Sequence, residues 1–198
     1  MPSSLYCHSL FPDLNLVFNS KKILVGDSSM KFISANLENL RALYVSELQH
    51  LHSAETQITD ALPKMIEKAT DPQLKQGLET HLQETRGHVA RLEQILQRSA
   101  GKVDSKKNKG IAALITEGED IITDAKPEAL RDAGIIAAAQ KVEHYEMAAY
   151  GTVRTWAEIL GLSDQADLLE RTLDEEKHAD AVLTQIADTA NTRADRAA

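Results

Sequence analysis

The sequence predicts an all-α protein, a four-helix bundle made of two antiparallel helical hairpins joined by one long crossover. Three observations carry that expectation. Aromatics make up only 4% of the 198 residues, with nine Gly and five Pro, and the Ala, Leu, Glu, Gln and Lys that dominate are good helix formers. Four long stretches carry apolar residues at a helical period. The stretch between the second and the third of them runs past about 20 residues, far more than antiparallel neighbours need.

At this length the chain suits one domain that buries a core without disulfides. A formal net charge of -8 leaves no broad basic field for nucleic acid. No apolar run approaches the ~18 residues that a bilayer span requires, which argues against a membrane protein. The single cysteine, Cys7, precludes an internal disulfide and fits a reducing, cytoplasmic compartment.

Residues 1–34 mix Pro2, Pro12, Gly26, serines and asparagines with short apolar scraps and show no sustained period. They lack the charged start and continuous apolar stretch of a secretory signal, and a poorly ordered extension is expected there. A start of translation at Met30 would coincide with the beginning of the patterned sequence. The bundle itself is expected over residues 35–190. Its first helix runs from about Ser34 or Asn36 to Lys68, with Leu40, Tyr44, Leu51, Ile58, Leu62 and Met65 on one face and Pro63 as the site of a kink. Thr70-Asp71-Pro72 is a tight turn, and Pro72 suits the first position of the next helix. That second helix, Pro72 to about Ser99, buries Leu74, Leu78, Leu82, Val89, Leu92 and Ile95.

Gly101 to Gly110, with four lysines, is the connection. Residues 111–125 make a short amphipathic helix within the crossover. Lys126-Pro127-Glu128 opens the third long helix, which ends near Leu160; Gly161-Leu162-Ser163-Asp164 turns into the fourth. Fraying is expected after about Ala187, with residues 191–198 a disordered tail. Two hairpins joined by one long crossover form the ferritin-like variant of the four-helix bundle.

Two acids interrupt the apolar stripe of the third long helix. At ~100° per residue, Ile135, Ala139, Val142, Ala149, Tyr150, Val153, Ala157 and Leu160 lie within roughly 60° of Glu146, and Glu143 sits one turn earlier on the inward side. An ionised carboxylate in a helical core is costly unless it is paired or bound to a metal. Glu55 interrupts the first helix in the same way. Antiparallel helices place residues equidistant from their turn at one level. Glu55 lies 16 residues before Asp71, and Glu84 and His88 lie 13 and 17 after it. Around Leu162, Glu146 lies 16 before, and Glu176 and Asp180 lie 14 and 18 after. The second hairpin repeats the first, which points to a two-metal site with one half from each hairpin.

A literal Glu-x-x-His occurs at Glu175-Glu176-Lys177-His178, yet helical phase argues against it. The stripe of Leu169, Leu173, Ala179, Leu183 and Ala187 places Glu176 near its centre and Asp180 roughly 40° away, while His178 points about 200° from Glu176, into solvent. The expected ligands are therefore Glu55, Glu84, His88, Glu143, Glu146, Glu176 and Asp180. His50, His52 and His144 read as partly exposed histidines. His81 is on the right face but roughly 9 to 10 Å short of His88 along the axis, which suits a role behind the ligands or a structural one. Tyr150 reads as a core tyrosine with a satisfied hydroxyl. A bundle with a few hydrogen-bonded buried acids and no metal is the contrasting expectation, but four to six carboxylates at one level need cations or protons to neutralise them.

Leu43-Tyr44-Val45-Ser46-Glu47-Leu48, Ala61-Leu62-Pro63-Lys64-Met65, His81-Leu82-Gln83-Glu84-Thr85, His88-Val89-Ala90-Arg91-Leu92-Glu93, Glu143-His144-Tyr145-Glu146 and Leu173-Asp174-Glu175-Glu176-Lys177 carry a resemblance to the YciE/YciF-type family of bacterial ferritin-like proteins. The resemblance spans about Leu37 to Ala187. It implies a rubrerythrin-like dimetal bundle, a homodimer, with ferroxidase chemistry and a link to stress responses. Two metal ions are expected, iron first and manganese second, with Fe(II) and O2 or peroxide as small-molecule substrates. The expectation from another functional class is a metal-free stress protein that acts as a structural or adaptor module.

Overall fold

The computed structural model describes residues 37–197, so the expectations on residues 1–34 and on Met30 lie outside the described residues. Five helices follow in order: α1 (Leu40–Lys68), α2 (Pro72–Ala100), α3 (Lys109–Asp124), α4 (Glu128–Ile159) and α5 (Ser163–Arg196). The four long ones form a ferritin-like bundle, and α3 lies within the crossover. Helix α1 begins later than the periodicity suggested because the Asn39 side chain accepts a hydrogen bond from the Ala42 amide at 2.9 Å and caps the helix there. It continues through Pro63. Asp71 caps α2, with Pro72 in its first turn, and Gly101 closes α2 in the left-handed region at φ 70°.

Side-chain ties at the two ends of the bundle set the direction of each helix. At one end, Tyr44 Oη and Ser99 Oγ each donate to Gln165 Oε1 at 2.8 Å, joining the starts of α1 and α5 to the end of α2. At the other, the buried Asp132 near the start of α4 accepts from the amides of Thr70 and Asp71 at 2.8 and 2.9 Å. Arg193, late in α5, pairs with Asp71. Helices α1 and α5 are thus parallel, as are α2 and α4, and the packed neighbours α1/α2, α4/α5, α1/α4 and α2/α5 are all antiparallel. The Arg193 pair and the burial of Ala190 explain why α5 persists to Arg196 where fraying was expected.

Helix α3 packs on α1 and α4. Asn108 caps it by accepting from the Ile111 amide at 3.0 Å, and its own amide donates to Tyr145 Oη at 2.9 Å. The Ile121 side chain of α3 packs so closely on α4 at Gly134 that a Cβ there would collide with it. The apolar core falls into two clusters. One is built around Ile58, Leu62, Leu74, Leu78, Ile111, Ile135 and Ile186 near the α1/α2 turn. The other is built around Tyr44, Leu48, Leu92, Ile95, Tyr150, Val153 and Leu169 near the α4/α5 turn. Between them lies a layer of buried acids and histidines.

Candidate metal centre

Each of the four long helices contributes to that layer. Helix α1 supplies Glu55, α2 supplies His81 and His88, α4 supplies Glu143 and Glu146, and α5 supplies Glu176. None is more than 5% exposed. Their ligand atoms form two sets within which all atoms lie within 4.8 Å of one another: His81, Glu143, Glu146 and Glu176 in one, Glu55, His88 and Glu176 in the other. Glu176 belongs to both. Four carboxylates and two imidazoles are the donor inventory of dimetal-carboxylate bundles, which take a Glu from each of two helices and a Glu-x-x-His from each of the others. Here the same inventory is distributed differently, with a Glu-x-x-Glu on α4 and both histidines on α2.

The donor atoms fit a cation better than they fit one another. His88 Nδ1 lies 3.0 Å from Glu176 Oε1 and 3.4 Å from Glu55 Oε1, and His81 Nε2 lies 3.3 Å from Glu143 Oε1. Yet both nitrogens of His81, Nδ1 of His88, both oxygens of Glu146 and of Glu176, and one oxygen each of Glu55 and Glu143 make no hydrogen bond. Buried polar atoms without partners cost about 1–3 kcal/mol each. Ligands on opposite sides of an ion at ~2.1 Å are at most about 4.2 Å apart, so each set would close on a cation with small shifts.

Electrostatics gives the same reading. Burial pushes the Glu143 and Glu146 carboxyls well above their usual range, reinforced by neighbouring carboxylates. Burial likewise lifts Glu176 to about 7, with His88 opposing. For His88 burial acts downward but is outweighed by Glu55 and Glu176, which take it to about 11. His81 is lowered to about 4 by burial and then by His88. Without a cation the layer must hold protons to balance its charge; bound cations would replace them.

A second set of contacts orients His88. Its Nε2 lies 3.0 Å from Glu175 Oε2, and Glu175 is itself paired with Arg91 and, at 3.1 Å, with Arg171. Arg91 Nε in turn donates to Thr172 Oγ1 at 2.9 Å. Without a cation, the raised His88 carries a proton on each ring nitrogen, with Nδ1 facing Glu55 and Glu176; a bound cation would take the place of the Nδ1 proton while Glu175 keeps the one on Nε2. Tyr150, fully buried, donates to Glu55 Oε1.

Of the seven ligands expected from sequence, the structure brings together Glu55, His88, Glu143, Glu146 and Glu176. It does not bring Asp180 into the layer. That carboxylate lies on the outer α4/α5 seam, accepting from Gln140 Nε2 at 3.1 Å and 3.3 Å from His144 Nε2. Glu84 stays at the edge, 28% exposed, with Oε2 4.0 Å from His81 Nδ1. His178 is exposed. The axial level of His81 places it outside the expected ligands, yet its ring centroid lies 6.3 Å from that of His88. The available signal was the seven-residue spacing, which returns to nearly the same angle after two turns. Nothing in the spacing singled out Glu175 as the partner of His88.

A groove of about 600 Å³ between α2 and α5 has His81 and Glu143 in its wall. A second cavity of about 40 Å³, lined mainly by apolar side chains of α1, α3 and α4, reaches the same two residues from the opposite side.

A model of the family described as "Domain of unknown function (DUF892)" matches residues 39–195. The chain belongs to this DUF892 family. Protein YciF of Escherichia coli K12 is 39% identical over 153 residues, covering 77% of this chain and 92% of that protein. Two solved structures share the bundle. The E. coli stress protein YciF matches with a TM-score of 0.75 at 38% identity, covering 78% of this chain and 98% of that one. YcfI from Rhodopseudomonas palustris matches with a TM-score of 0.74 at 40% identity, covering 77% and 98%. The resemblance to YciE/YciF-type proteins thus holds over nearly all the described residues. No helix among the described residues is long and apolar enough to cross a membrane.

Proposed function

We propose that this DUF892 chain is a dimetal-carboxylate protein that binds two iron ions, or two manganese ions, and oxidises Fe(II) or consumes peroxide. The observation that supports the reading is the pair of buried donor sets sharing Glu176, whose inward atoms lack hydrogen-bond partners. Bound iron or manganese would supply the redox chemistry toward O2 or peroxide that side chains lack. The protein's part is to bind, orient and shield. Glu176 would bridge the two positions; His81, Glu143 and Glu146 would complete one, Glu55 and His88 the other. Glu175 holds the proton of His88 at Nε2, Tyr150 fixes one oxygen of Glu55, and the two apolar clusters above and below exclude water. The resemblance that names E. coli YciF a stress protein supports a role in stress, and a homodimer is the proposed assembly.

Metal analysis of protein purified without chelator, followed by anaerobic titration with Fe(II) and Mn(II), tests the reading. Two ions per chain and a raised melting temperature are expected. Near-zero iron, manganese and zinc, with no stabilisation on adding Fe(II) or Mn(II), would instead favour a metal-free adaptor. Light scattering should give a dimer; a mass of a dozen or more subunits would overturn the assembly.

A further inference from the structure

The layer of ligands is sealed within the bundle, so a cation needs a way in, and the two cavities that reach His81 and Glu143 differ in kind. The cavity beneath α3 holds about 40 Å³ and is lined largely by Ile58, Leu114, Ile122 and Val142. Stripping a divalent cation of water in such surroundings is prohibitive, since even a monovalent ion loses several kcal/mol or more on entering an apolar interior. The α2/α5 groove holds about 600 Å³, and Glu84, Gln76, Thr80 and Gln185 bring polar groups to it. At its inner wall stands His81, 5% exposed, with both ring nitrogens lacking hydrogen-bond partners. Glu84 Oε2 is 4.0 Å from His81 Nδ1, while His81 Nε2 is 3.3 Å from Glu143 Oε1. A carboxylate, an imidazole and a second carboxylate therefore follow one another inward from partial exposure to full burial.

We propose that the α2/α5 groove is the entry path for divalent cations, with Glu84 as a transient ligand at its mouth and His81 as the residue that passes the ion to Glu143. This rests on the dimetal reading above and adds a route to it. Glu84 belongs to neither buried donor set, and it is the more exposed of the two carboxylates in the groove wall. A negative charge at the mouth of a groove with low-dielectric walls concentrates cations and speeds their entry. Gly77, on α2 within the groove, adds a steric lever: a Cβ there meets Val182 Cγ1 at 3.6 Å and Ile186 Cδ1 at 3.7 Å, ordinary contact distances, so a larger side chain would reach into the groove.

The test is stopped-flow uptake of Co(II), read by its visible absorption, together with equilibrium titration of Co(II). E84Q should slow both association and dissociation by about tenfold, within the range of electrostatic focusing, so that affinity moves by less than about threefold. The wild-type association rate should fall with added salt more steeply than that of E84Q. G77L should slow uptake independently, without removing any donor atom. Unchanged association rates in both variants would overturn the route. A large loss of affinity in E84Q with faster dissociation would also overturn it, making Glu84 a resident ligand instead. If the wild-type protein takes up no Co(II) at equilibrium, the dimetal reading fails and the route falls with it.

Discussion

Glu176→Gln separates the two things that this residue does, because the substitution keeps the side chain's shape and removes its charge. Glu176 is the member common to both donor sets, so its loss weakens both cation positions at once. Metal affinity should fall by at least about a hundredfold, more than the 10–100-fold that a partner of a ligand is worth. The apo-protein should respond in the opposite direction. Burial lifts the Glu176 carboxyl from 4.5 to about 7, and ionising it there costs the folded apo-protein on the order of 3 kcal/mol at pH 8. The sign follows from linkage: the unfolded chain releases this proton first, so the cost is absent below about pH 4.5, grows through the window to about 7 and is full above it. The opposing pull of His88 at 3.0 Å is already contained in that shift, so the relief stands as a net gain on the order of 3 kcal/mol, or several degrees in Tm for a chain of this size.

The assay is thermal unfolding with excess chelator at pH 8 and pH 4.5, paired with Co(II) titration at pH 8. Apo E176Q should melt several degrees above wild type at pH 8 and close to it at pH 4.5, while binding little Co(II). His178→Ala should leave the amount of Co(II) bound unchanged, as its side chain is exposed. The reasoning is refuted if H178A abolishes metal binding and E176Q retains it. The literal Glu175-x-x-His178 would then be the ligand pair, and the phase of α5 would be wrong.

Glu175→Gln should lower Co(II) affinity by about 10–100-fold, because His88 loses the carboxylate at 3.0 Å that fixes its proton; an unchanged titration would remove Glu175 from the site. Tyr150→Phe should cost the apo-protein about 1–3 kcal/mol by leaving Glu55 without its buried donor, measured by urea unfolding with chelator; no change in the midpoint would contradict the contact. Asp71→Ala should cost about 1–2 kcal/mol, since Asp71 caps α2 through the amides of Gln73 and Leu74 at 2.7 and 3.0 Å. Burial acts to raise the Asp71 carboxyl, but Arg193 and those amides hold it below its usual 3.8. Its stabilisation is therefore full above about pH 4 and lost as pH falls through the lower folded value, so the gap between wild type and D71A should close on acidification. A gap independent of pH between 5 and 2 would assign the effect to packing.

The bundle was legible because its helices announce themselves one at a time: period, the Pro72 turn and a crossover too long for adjacent helices each act locally. Glu55, Glu146 and Glu176 were legible for a related reason, since each interrupts an apolar stripe and the levels counted from Asp71 and Leu162 coincide. What the sequence left hidden depends on side-chain reach. Levels are set by the backbone rise, yet His81 and His88, two turns apart, lean toward one another until their rings are 6.3 Å apart. Asp180 passes both tests of level and approximate phase, but a rotation of about 40° and one further turn carry it onto the α4/α5 seam beside Gln140 and His144. Glu175 is the sharper case, because it looks like half of a Glu-x-x-His motif and instead holds the far side of His88. A cation responds to donor atoms at a point in space, whatever spacing brought them there. Four helices can deliver four carboxylates and two imidazoles to one layer in several ways. The inventory of buried donors on inward stripes therefore predicts such a centre better than any single spacing on one helix.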